Sequence, residues 1–212
     1  LFFGFSSGLP LNLTGSTLQA WMTDQRVDLG TIGLYSLVGL PYTLKFLWAP
    51  AMDAWTLPGP GRRRSWILAC QFALFGAIAG LGMCAPAQAP FMLGLVALAV
   101  AFASASQDIV VDAWRREALP DAELAMGAAL YVTGYRLGML TAGGAALHLA
   151  EREPWSRVYL AMGALMLVGI GMAVFGLAVR YLPIMEKVEE PELVASTEPS
   201  PARALAAVPV RS

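Results

Sequence analysis

Long apolar stretches alternate with short polar loops through the first 182 residues of the chain. A helix needs about 20 mainly apolar residues to cross the hydrocarbon core of a bilayer. That length test predicts six helices, at approximately 1–23, 31–52, 65–84, 91–113, 125–148 and 157–182. An all-α membrane protein follows, with residues 1–182 forming one bundle. After Leu182 the pattern stops and the chain becomes rich first in glutamate and then in proline, alanine and serine. Such a segment cannot bury enough apolar surface to fold alone, so 183–212 is expected to be a flexible cytoplasmic tail or a linker between halves.

Composition agrees with the pattern. Hydrophobic residues make up 57% and charged residues 14% of the chain, with a mean hydropathy of +0.60, a balance that cannot clothe a soluble globule. The net charge of -1 and the scattering of arginines into short loops argue against nucleic acid as a partner. The basic residues are distributed unevenly. Arg62, Arg63 and Arg64 follow the second helix, Arg115 and Arg116 end the fourth, and the end of the sixth carries Arg180 and Lys187, whereas the alternate loops carry Arg26, Arg152 and Arg157. The positive-inside rule therefore predicts a multi-pass protein with both ends in the cytoplasm. Trp21 and Trp155 then fall at the outer boundary and Trp48, Trp55, Trp66 and Trp114 near the inner one, where amphipathic rings settle. Cys70 and Cys84 are too far apart along one helix to pair, and no zinc-ligand spacing is present, so no metal or cofactor is expected. The chain opens on Leu1 inside an apolar run and has no recognisable cleavable signal, which leads to the expectation that its native start lies upstream.

Ionisable residues inside apolar helices are costly and tend to face a bundle interior or a wet cavity. Asp108 and Asp112 on the fourth helix share a face with Ser104, with Gln107 beside it. Asp108 lies roughly 8 Å from the cytoplasmic boundary, and Lys45 on the second helix is at similar depth. Burial and a nearby cation pull a carboxylate's proton affinity in opposite directions, so this pair suits proton coupling. The alternative is a static ion pair, and for Asp112, next to Arg115 and Arg116, the static pair is the stronger reading. On the first helix Gly8, Asn12, Ser16 and Gln19 share a face, which would line a polar solute path or bond across helices. Arg136, with Tyr135 beside it, sits in the fifth helix, and its fork suits a substrate carboxylate or phosphate, or else satisfies Asp108. Gly134, Gly138 and Ala142 form a ladder that allows close helix approach. The one histidine, His148, sits at a helix end with no serine nucleophile motif near it, which argues against a hydrolase. Leu34, Tyr35, Gly39, Tyr42 and Lys45 are echoed loosely by Leu130, Tyr131, Gly134, Tyr135 and Arg136, as a three-plus-three helix repeat would produce.

Asp53 followed by Gly61, Arg62, Arg63 and Arg64 resembles the loop motif between the second and third helices of the major facilitator superfamily, with a longer spacing through 54–60. It would act as a cytoplasmic gating loop. The runs Gly4-Phe-Ser-Ser-Gly-Leu-Pro10, Gly15-Ser-Thr-Leu-Gln-Ala-Trp-Met22, Ser36 to Pro50, Ser104 to Asp112 and Ala129 to Arg136 resemble, more narrowly, the AmpG-type muropeptide permeases of that superfamily. The resemblance implies proton-coupled import of anhydromuropeptides, fragments of cell-wall turnover, across the bacterial inner membrane for peptidoglycan recycling. It also implies a second six-helix half as partner, because such permeases have two halves and 1–182 accounts for one. A related acetyl-CoA or other solute transporter, and a non-transporting membrane relic or scaffold, remain as alternatives.

Overall fold

The computed structural model describes residues 1–59, 61–171 and 174, and all regular structure among them is helical. The expected tail, 183–212, and the end of the sixth predicted helix lie outside the described residues. Among the described residues two helices are long and apolar enough to cross a membrane: α6, Arg62–Gly82, and α7, Pro90–Ala118. At 1.5 Å per residue α7 is roughly 43 Å long, longer than a hydrocarbon core of about 30 Å.

The first, second and fifth predicted spans are helical but interrupted. The first is α1, Phe2–Thr14, and α2, Ser16–Asp24, broken at Gly15, whose backbone leaves the helical region. The second comprises α3, Leu29–Leu34, α4, Leu40–Leu44, and α5, Ala49–Ala54, joined by tighter turns at Tyr35–Gly39 and Lys45–Leu47. Pro41 and Pro50 lie at the starts of α4 and α5, where a missing N–H costs least. The fifth is α8, Leu124–Leu140, a wide π turn over Thr141–Ala145, and α9, Ala146–Ala150. Last comes α10, Trp155–Gly171.

Helix α1 sits centrally, packed on α7 and α8 and held to α10 where Tyr159 donates its hydroxyl to the Leu13 carbonyl at 2.9 Å. The α1–α8 seam is the closest approach among the described helices. A Cβ placed on Gly4 or Gly8 would enter the backbone of Tyr131 or Tyr135, and one on Gly134 or Gly138 would enter that of Leu1 or Phe5. Both helices thus contribute a Gly-xxx-Gly ridge to one parallel crossing, in which only hydrogen fits between the backbones. The sequence singled out the α8 ladder, and its partner on α1 completes it. Side chains then stitch the wide turn: Asn12 Nδ2 donates to Met139 O at 2.8 Å and Thr17 Oγ1 to Ala142 O at 2.7 Å. These carbonyls lie where the helix widens and its own ladder is disturbed.

Apolar packing fills both ends. Trp21, Trp155 and Tyr159 cluster at one end, the two indoles stacked 5.8 Å apart, and Trp155 Nε1 donates to Asp24 at 3.0 Å. At the other, Met52, Ile67, Cys70, Val110 and Val111 form a second core beneath Trp48, Trp66 and Trp114. Cys70 and Cys84 are both free.

Candidate functional site

Buried polar side chains gather where α1, α6 and α7 meet. Ser6, Ser7, Gln71, Ser104, Gln107 and Asp108 are all buried, with Asp108 8% exposed. Gln107 Nε2 donates to Ser7 Oγ at 3.3 Å. Asp108 Oδ1 accepts from the Tyr131 hydroxyl at 3.3 Å, longer than the usual O–H···O range of roughly 2.5–3.0 Å. Ser6 Oγ, Tyr42 OH, both amide atoms of Gln71, Ser104 Oγ and Gln107 Oε1 have no hydrogen-bond partner among the described residues. Native structures leave few such groups, and they gather at functional sites. A carboxylate within this layer has hydroxyl and amide neighbours of both donor and acceptor character, the surroundings in which a proton is taken up or released without stranding a charge.

The expected partner of Asp108, Lys45, is near it without forming a direct ion pair. Lys45 lies half-buried in the turn between α4 and α5, and no ion pair within 4.0 Å joins it to Asp108 or to another acid among the described residues. Asp112 pairs with Arg115 at 3.0 Å on its own helix, with its side chain 48% exposed. Arg136 is exposed on α8 and Tyr135 is half-buried beside it. Asn12 directs its amide across the seam to Met139. Beyond the break at Gly15, Ser16 and Gln19 are exposed on α2. The polar face read on the first helix is therefore split: its first half is taken up by helix packing, and its second half is open.

A second constellation lies at the opposite end of α6 from the Trp21 cluster. Gly61 enters α6 with φ +130, a conformation that suits glycine. Arg63 is then set between two acids. Its Nη1 bonds Asp53, and its Nε and Nη2 both reach Glu117 Oε1, at 3.0 and 2.7 Å. The arginine side chain is only 10% exposed, while the carboxylates are half-exposed. One guanidinium thus ties the ends of α5, α6 and α7 together. Of the loop residues singled out by sequence, Asp53 and Arg63 meet here and Arg62 and Arg64 bond no acid among the described residues. Glu117 was missed, because nothing in its local sequence shows that α7 ends beside the start of α6. Tyr131 was likewise missed as a partner of Asp108, since its role depends on the α1–α8 crossing that brings α8 under α7. His148 lies 3.5 Å from Glu151 on the surface, a helix-end contact far from the buried layer. No group of three possible metal ligands occurs among the described residues.

Two apolar helices of membrane-crossing length beside buried polar side chains fit the class of helical membrane proteins. Comparison with known proteins narrows this. Over 168 residues the chain is 52% identical to the anhydromuropeptide permease of Escherichia coli, covering 79% of this chain and 34% of that protein. It is 43% identical over 174 residues to an uncharacterized protein of Haemophilus influenzae, covering 82% and 41%. A Rickettsia conorii protein named as an AmpG 1 transporter is 32% identical over 190 residues, covering 88% and 45%. The family model for acetyl-coenzyme A transporter 1 matches residues 1–91. The resemblance to AmpG-type permeases thus holds across about four-fifths of the chain, which spans between a third and a half of the length of these relatives.

Proposed function

We propose that the chain forms one six-helix half of a major-facilitator-type permease that imports anhydromuropeptides across the bacterial inner membrane, with protons entering by way of Asp108. The identity of 52% to the Escherichia coli permease carries this reading. Asp108, buried in a polar layer of an apolar bundle, supports the coupling step. The substrate-facing groups are Ser16, Gln19 and Arg136, whose exposed polar surface a second six-helix half would cover. Gln107 and Tyr135 would extend that pathway toward Asp108. Arg63 with Asp53 and Glu117 acts as a latch, holding helix ends together in one state of the cycle and releasing them in another. Both ends of the chain lie in the cytoplasm, in keeping with the arginines that begin α6 and end α7.

The deciding experiment uses cells that lack their own permease and measures accumulation of labelled anhydromuropeptide by the chain alone and by the chain joined to the second half of the Escherichia coli protein. Gradient-driven accumulation is expected from the joined form, and Asp108→Asn should abolish it while exchange of substrate across the membrane persists. A well-inserted, folded joined form without uptake would overturn the reading. For topology, a chain freed of Cys70 and Cys84 should react with an impermeant thiol reagent from outside at cysteines introduced in 24–30 or 85–90, and not in 56–61. The match of residues 1–91 to an acetyl-coenzyme A transporter model favours one second reading. Labelled acetyl-coenzyme A, offered to vesicles from the same cells, separates the two.

A further inference from the structure

Asp108 is joined to the end of its helix by a continuous path of side chains. Its Oδ1 accepts from the hydroxyl of Tyr131 on α8 at 3.3 Å. The ring of that tyrosine lies under the Arg115 guanidinium, with the central carbon 4.8 Å from the ring centroid. The same guanidinium bonds Asp112 at 3.0 Å. The path therefore runs Asp112, Arg115, Tyr131, Asp108, from a half-exposed acid to a carboxyl that is 8% exposed. Each link has its own geometry. A planar cation over an aromatic face is attracted by the ring quadrupole and fixes the ring's plane. A ring fixed in this way aims its hydroxyl at one oxygen of the carboxyl, Oδ1. Ser7 Oγ accepts from Gln107, and its own hydroxyl lies beside both Asp108 and Tyr131.

We propose that Tyr131 is a positioning residue for Asp108, and that the Arg115–Asp112 pair holds the tyrosine in place, so that a change in that surface pair is felt at the buried carboxyl. The inference rests on the coupling role of Asp108 proposed above and adds the group that orients it. Asp108 takes up and releases the proton; Tyr131 keeps its own, and no other bond is made or broken. The charged and titratable groups around Asp108 are Lys45 and Tyr42 from the second span, Tyr131 and Tyr135 from α8 and Asp112 from its own helix. Of these, Tyr131 is the one hydrogen-bonded to it.

The test is infrared difference spectroscopy of the full chain in lipid vesicles, recorded over a pH series, with the Asp108 carboxyl band identified by its loss in Asp108→Asn. Tyr131→Phe keeps the ring and deletes the hydroxyl. It should move the protonated-carboxyl band to higher wavenumber, as expected when a C=O loses a donor. Arg115→Gln should move the same band in the same direction by a smaller step, and Arg115→Lys, which keeps charge but loses the planar stack, should resemble Arg115→Gln. Arg116→Gln is the control, since Arg116 has only an exposed, 3.9 Å contact with Asp121. Circular dichroism shows whether each variant is folded; if Tyr131→Phe is not, the Arg115 variants carry the test alone. An unmoved band in folded Tyr131→Phe, or in both Arg115 variants, overturns the inference. Because this readout requires no transport, an unmoved band and an absence of uptake are separate results.

Discussion

Two helix contacts in this bundle solve the same problem in opposite ways. Helices α1 and α8 meet backbone to backbone, with glycine ridges on both sides and no room for a Cβ. The second span, α3 to α5, meets α7 through large side chains and leaves clefts between them. One, of about 540 Å³, is lined by Leu34, Tyr35, Leu37, Phe91 and Leu98 among others. Another, of about 480 Å³, continues it past Leu40, Leu44, Leu95 and Phe102. In lipid, where tails compete equally for apolar surface, close packing and interhelical hydrogen bonds hold helices together. The first contact has both, so it is fixed. The second is held at a few points: Tyr35 to the Pro90 carbonyl, Trp48 Nε1 to Ser106 at 3.1 Å, and the Arg63 cluster at the helix ends. A rigid pair beside a loosely held segment is the division that a rocking transporter needs.

The sharpest way to break the comparison is to make one substitution in both regions. Gly8→Ala or Gly134→Ala inserts a methyl into facing backbone, and overpacking of that kind costs about 1–3 kcal/mol or more where neither side can move. Gly33→Ala and Gly39→Ala meet nothing within 4 Å, and should be neutral or stabilising by up to about 1 kcal/mol, since alanine restricts the unfolded chain. Thermal unfolding in detergent distinguishes them. Equal losses at both places would mean that the seam is no tighter than the second span.

Tyr35→Phe comes next. It removes the half-buried hydroxyl that ties the second span to the start of α7, a loss of about 0.5–1.5 kcal/mol. Hydrogen exchange should rise in α3 and α4 and stay unchanged in α1 and α8. Arg63→Gln follows. Its acids are half-exposed and solvent-screened, so stability should fall by no more than about 1 kcal/mol. Mobility of spin labels at the end of α5 should rise more clearly than that loss suggests, because one guanidinium holds three helix ends.

The sequence revealed each contact to a different degree. Span positions were legible because apolar length is a local property: the predicted boundaries at 65–84 and 91–113 lie close to α6 and α7. Breaks within the spans were less so. Gly15, the tight turns of the second span and the π turn at 141–145 each depend on which neighbour takes the freed carbonyls, as Asn12 and Thr17 do. Asp108 stood out as a charge in an apolar run. Lys45 was placed near it because depth along a helix can be counted from sequence; whether the two touch depends on rotation about the axis, which cannot, and no direct ion pair within 4.0 Å forms. Tyr131, aromatic and unremarkable in an apolar helix, gave no comparable signal. Glu117 merged with the surrounding polar helix end.

The smallest expected effect concerns the start of the second span. Asp28 caps α3, its Oδ1 accepting the Thr31 N–H at 2.9 Å. The hydrogen bonds from Thr31 hold its carboxyl below the usual aspartate value of 3.8. A group whose affinity for protons is lowered by folding stabilises the folded form above its unfolded value, and that contribution is lost as pH falls through the lower, folded one. Protection of the Thr31 amide from hydrogen exchange, corrected for intrinsic rate, should therefore be constant above about pH 4 and fall below it. Asp28→Asn should keep the cap, because asparagine caps about as well as aspartate, while removing the pH dependence. Asp28→Ala should lose protection at every pH. Amides across the α1–α8 seam should show no response to any of the three, since no capping side chain holds either helix start. A matching response at both places would mean that the second span and the seam open as one unit, and the contrast between a fixed pair and a loosely held segment would fail.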